Sequence, residues 1–117
     1  MASASARSVT LTSTGDYAFN QVFSAAANAN SPSQSDLVSW ASGFNLITPP
    51  AGGSAPKALT IIPPAGNAVT LTLKGVTGDT GVLLHPTDPT TIALGSTSAT
   101  FGITTSNVLA GVRLIWT

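Results

Sequence analysis

The clearest pattern in the chain is the run AVTLTLKG (68–75). Val69, Leu71 and Leu73 alternate with Thr70, Thr72 and Lys74. A period of two puts the apolar residues on one face of a strand and the polar ones on the other. SVTLT (8–12) alternates in the same way, with Val9 and Leu11 on one face. DYAFNQVF (16–23) reads as a second strand, with Tyr17 and Phe19 on one side. DLVSWASGFNLIT (36–48) reads as two short strands broken at Ser42-Gly43, with Trp40, Phe44 and Leu46 expected to point inward. ALTII (58–62) is almost wholly apolar, which suits a strand covered on both faces. GVLLH (81–85), TIAL (91–94), TFGITT (100–105) and VRLIWT (112–117) complete the series. In the last, Val112, Leu114 and Trp116 share one face, and Arg113 and Ile115 the other.

Turn chemistry separates these runs. Gly15-Asp16, PPAGGSAPK (49–57), PPAGN (63–67), VTGDTG (76–81), PTDPT (86–90), GSTSA (95–99) and SNVLAG (106–111) are rich in the residues that tight turns use. SAAANANSPSQS (24–35) has no strand period and reads as a contact loop or a short helical turn. Residues 1–7 are small and polar and read as a flexible arm. Strands recurring about every ten residues predict a single all-β domain over 8–117: a β-sandwich, jelly-roll or other Greek-key, of about eight or nine short antiparallel strands.

Charge changes the picture. Four Lys or Arg and four Asp stand in 117 residues, a charged fraction of 7%, and there is no Glu. A free globular domain carries about a quarter, and uses it to stay soluble and apart. Ser and Thr, 31 residues in all, supply polarity without charge. Such a chain is expected to work with its surface covered by neighbours. A net charge of zero argues against a nucleic-acid face. No apolar stretch is long enough for a membrane helix, and MASASARSV has no apolar core of a signal peptide. Without cysteine there is neither a disulfide nor a thiolate metal site.

Candidate chemistry is thin. His85 is the one histidine, flanked by Asp79 and Asp88. The trio has metal-ligating types but no ligand spacing. Both aspartates sit in turn sequences, where a carboxylate commonly bonds nearby backbone N–H groups. No G-x-S-x-G elbow, phosphate loop or paired Glu is present. The expectation is a protein that is not an enzyme, with no catalytic residue, metal or cofactor. Trp40, Trp116 and Tyr17 have the types of a sugar-stacking platform; core or interface anchors are the commoner use. Lys74 is expected to blunt an exposed strand edge, and Arg113 either to be solvated or to pair with an Asp across a subunit boundary, pairing being favoured because charge is so rare here.

The run KALTIIPPAGNAVTLTLKGVTGDTGVLLHPTDPTTIAL (57–94), closed by GVRLIWT (111–117), resembles small all-β virion proteins of tailed bacteriophages: capsid decoration (cement) proteins, head fibres and tail-tip proteins. The resemblance implies a sandwich that oligomerises, often as a trimer, and binds other virion proteins such as the major capsid protein, in particles assembled in the host cytoplasm. It transfers no catalytic residue. On this reading subunit contacts are expected at Arg7 in the arm, at Tyr17, at Asn28 and Asn30 in the 24–35 segment, and at Arg113 and Ile115 on the last strand. The competing expectation is a receptor- or carbohydrate-binding tip domain, with an aromatic-lined pocket. A tail or neck component shares the chemistry of the first.

Overall fold

The computed structural model describes residues 5–13, 19–28, 34–49, 56, 58–95 and 101–117, of which 5–13, 19–28 and 34 are described by their backbone alone. The protein is all-β. Ten strands are present among the described residues: β1 (Ser5–Ser13), β2 (Phe19–Asn28), β3 (Gln34–Trp40), β4 (Gly43–Ile47), β5 (Ala58–Ile62), β6 (Leu71–Lys74), β7 (Val82–Leu84), β8 (Thr90–Ala93), β9 (Phe101–Thr105) and β10 (Leu109–Trp116). No helix occurs among the described residues, so none is long and apolar enough to cross a membrane.

Eight strands make two four-stranded sheets, β3-β10-β5-β8 and β4-β9-β6-β7. The pairs β6–β7, β5–β8, β4–β9 and β3–β10 nest around the 75–81 turn, all antiparallel. The chain from β3 onward is therefore one long ribbon folded at that turn. Curling the ribbon adds the β10–β5 and β6–β9 pairings and closes two facing sheets. This strand order is a jelly roll, two interlocked Greek keys. β1 and β2 form a separate antiparallel hairpin.

The inner faces follow the period of two. Trp40, Leu59, Ile61, Val112, Leu114 and Trp116 from one sheet meet Ile47, Leu71 and Ile103 from the other, and all are buried. The alternation read in the last strand holds, with Val112 at 0% exposure, Leu114 at 5% and Trp116 at 2%. β5 lies between β10 and β8 and buries Leu59 and Ile61, but Thr60 and Ile62 on its outer face are only half-buried, so it is not covered on both faces as its apolar sequence suggests.

Several expectations need correction. β1 begins at Ser5, so residues 5–7 of the expected arm are strand, with Arg7 opposite Ala25. β2 runs to Asn28, so the expected 24–35 loop is strand at both ends; cross-strand pairing overrides the low strand preference of Ala and Asn. Leu46 is 57% exposed and Phe44 only half-buried. In β4 the inward row is Asn45 and Ile47, because Asn45 pairs with the buried Ile103 of β9 and so faces the same side. The Phe44 ring instead lies over Gly102 on the outer face, where an added Cβ would strike the ring and the Asn45 carbonyl. The expected 106–111 turn ends at Val108. From Leu109 to Val112 β10 advances three residues while β3 moves two, a β-bulge that Gly111 permits at φ +79°. Finally, Lys74 lies on β6, an interior strand, and does not guard an edge.

β6 is shorter than its pattern, since side chains replace the ladder before Leu71. The Val69 N–H donates to Asn67 Oδ1 (2.9 Å), Asn67 Nδ2 donates to the Pro86 carbonyl (2.8 Å), and the Thr70 N–H donates to Ser106 Oγ (2.9 Å). Residues 67–70 thus keep their hydrogen bonds without being a strand.

Candidate functional site

The outer face of β3-β10-β5-β8 carries the two contact residues expected on the last strand. Pairing sets Leu37, Arg113 and Ile62 in one row across β3, β10 and β5. Ser35, Ile115, Thr60 and Thr91 form the next row. Leu37 is 65% exposed, Arg113 is exposed, and Ile115 and Ile62 are half-buried. Arg113 Nη1 donates to Ser35 Oγ at 2.8 Å. That bond holds the guanidinium along its own sheet and takes one of its five N–H donors. The Thr60 and Thr91 hydroxyls lie 2.9 Å apart and satisfy each other. The face is therefore apolar and hydroxyl-rich, with one cation among the residues of these rows.

The other expected contact residues are not brought to this face by anything described. Arg7 and Asn28 lie near the same end of the β1–β2 pairing, where Asn28 faces Ser5 and Arg7 faces Ala25. Tyr17 and Asn30 lie outside the described residues.

A concave feature opens between the sheets at the 75–81 turn. It is a cavity of about 610 Å³ lined by Leu73, Val82, Ile92, Leu94 and Phe101, with Lys74, Asp79 and Thr80 at its polar margin. Its carboxylate is already engaged. Asp79 Oδ2 accepts the N–H groups of Gly75 (3.0 Å) and Val76 (2.9 Å), and the Asp79 N–H donates to the Val76 carbonyl (3.1 Å). Asp79 is a turn cap, the use its place between glycines suggested.

His85 is likewise committed to a turn. Its Nδ1 accepts the N–H groups of Asp88 (2.9 Å) and Thr87 (3.3 Å). Nδ1 is thus the ring nitrogen turned toward the 85–88 turn. The Asp88 carboxylate lies 3.6 Å away and is exposed. Asp79 caps a different turn, so the sequence trio does not converge as a ligand set; no group of three or more His, Cys, Asp or Glu suited to a metal occurs among the described residues. Trp40 and Trp116 are 6% and 2% exposed, so neither offers a face to a sugar ring.

Comparison with protein-family models, with curated proteins and with solved structures returns no match. The site must be read from its own chemistry.

One feature lies beyond the reach of the sequence pattern. Asn45 ties the corner between β3 and β4: Nδ2 donates to the carbonyls of Ala41 (2.8 Å) and Gly43 (3.0 Å), while Oδ1 accepts the Ala41 N–H (3.2 Å). Thr105, buried in the core, donates its hydroxyl to the same Ala41 carbonyl at 2.8 Å. An Asn two residues after a Ser-Gly break is the available signal, since Asn side chains commonly bond backbone groups two positions away.

Proposed function

We propose that this protein is a non-enzymatic structural subunit of a virion, a decoration (cement) protein that stabilises an assembled tailed-phage head. The observation that carries the reading is a surface almost without charge that displays large apolar side chains. Leu37, Leu46, Val76, Val82, Leu83 and Val108 are each more than half exposed, on a chain that is 7% charged. Single exposed apolar residues are ordinary; here the charges that normally surround them are missing. Cover by neighbouring subunits removes that mismatch.

The jelly roll is compatible with this role and does not select it, because capsid proteins, lectins and cupins share it. The resemblance of 57–117 to small phage virion proteins supplies the preference. A protein that binds only the assembled lattice stabilises it by mass action. No step of this mechanism uses a cofactor, and homo-oligomeric contacts together with contacts to the major capsid protein carry it.

The carbohydrate-binding alternative is weakened by the burial of both tryptophans. Co-sedimentation with expanded phage heads assembled without the protein, run beside a glycan array, tests the choice. Saturable binding to heads with no glycan retained is the expected result. Glycan binding without head binding would reverse the assignment.

A further inference from the structure

The four outer strands of the sandwich are not alike. On one side β7 has three residues and β8 four, and the turn joining them carries Pro86, Asp88 and Pro89. Short strands, proline and charge are the usual means of keeping a sheet edge from pairing with another chain. On the other side β4 leads from a corner whose backbone groups Asn45 and Thr105 engage. β3 has fewer of these devices, its one charge being Asp36 on the inner face. It is seven residues long, has no proline or lysine, pairs on one side with β10, and has no strand on its other side among the described residues.

The pattern of β3 is also self-complementary. Facing two copies antiparallel about Leu37 sets Leu37 opposite Leu37, and Ser35 opposite Ser39. It also sets Asp36 opposite Val38. Outer-face residues meet outer-face residues, so the two sheets continue into each other with their cores on the same side. Centring the pair on Asp36 would oppose two carboxylates, which is disfavoured. Centring it on Val38 would set Leu37 against Ser39 and lose the apolar match.

We propose that β3 is a homodimerisation edge, joining two copies of this chain by antiparallel β3–β3 pairing across a two-fold axis at Leu37. The result is one continuous eight-stranded sheet. Such a contact is isologous, with the same patch on both copies, and it makes a dimer where the phage resemblance implies a trimer. The inference rests on the edge itself and stands apart from the virion reading, so failure to bind heads leaves it intact.

The chain has no cysteine, which makes the test direct. Facing residues in an antiparallel pair have Cα atoms about 4.5 or 5.5 Å apart, both within the roughly 4.4–6.8 Å span of a disulfide. Under mild oxidation Leu37→Cys should cross-link to completion. Val108→Cys, equally exposed at 66% but in the turn before β10, should not. Ser35→Cys and Ser39→Cys should cross-link when mixed and not separately. In solution the protein should have twice the 11.6 kDa chain mass. Leu37→Lys should halve that mass and remain folded, with a melting temperature that no longer depends on protein concentration, since the side chain it replaces is 65% exposed in the single chain. Equal cross-linking at positions 37 and 108, a trimeric mass, or an undiminished mass for Leu37→Lys would overturn the proposal.

Discussion

The middle of the sandwich and its end at the 75–81 turn are built from the same alternating sequence and reach different states. In the middle, Leu59, Ile61, Leu71, Ile103 and Val112 are each at most 1% exposed. At the end, Leu73, Ile92, Leu94 and Phe101 are half-buried, and Val82 is 61% exposed beside a cavity of about 610 Å³. The difference lies in strand length. β10 has eight residues and β3 seven, whereas β7 and β8 have three and four. Short strands place apolar residues on the correct face without supplying enough opposing surface to cover them. Periodicity therefore reports which way a side chain faces; the length of its neighbours decides how deeply it is buried.

The largest expected effect tests the packed middle. Trp116→Ala should lower unfolding free energy by about 3–5 kcal/mol in denaturant titration, because the side chain is fully enclosed by both sheets. A loss near zero would show that β10 is peripheral. Asn45→Ala comes next. It leaves the Ala41 N–H and the Gly43 carbonyl without their side-chain partner, while the Ala41 carbonyl keeps the Thr105 hydroxyl, and should cost about 1–2 kcal/mol. At the open end, Asp79→Ala removes the cap of the 75–81 turn. It should cost about 1 kcal/mol, on the scale of losing a helix cap, and should speed hydrogen exchange at the Gly75 and Val76 amides. Smallest of all, Leu83→Thr at a position 70% exposed should fall within about 0.5 kcal/mol of the parent. A large loss there would mean that the open end is covered in the isolated chain, and the contrast would collapse.

Strands with strict alternation, or with a Pro/Gly boundary on each side, are legible in the sequence alone. VLL, TIAL and the 112–117 run fall where their residues put them. The break at Ser42-Gly43 is legible too, but not the phase after it: the register with β9 pairs Asn45 with the buried Ile103, which turns Leu46 outward. The bulge at Gly111 and the extension of β2 through Ala25 and Ala27 depend on pairing with another strand. No local pattern encodes such pairing. The jelly-roll order is non-local in the same sense, since it follows from which pairs nest around a single turn. For the site, turn chemistry correctly gives Asp79 a capping role, and alternation correctly puts Arg113 and Ile115 on the outer face. The bare edge of β3 is not legible, because edge and interior strands read alike until the sheet order is known.

The central claim is that a jelly roll so poor in charge is completed by the assembly it joins. Heating expanded phage heads, assembled without the protein, over a range of added protein tests it most directly. The account predicts a disruption temperature that rises with concentration and levels off once every lattice site is filled. Heads that come apart at the same temperature at every concentration would contradict it.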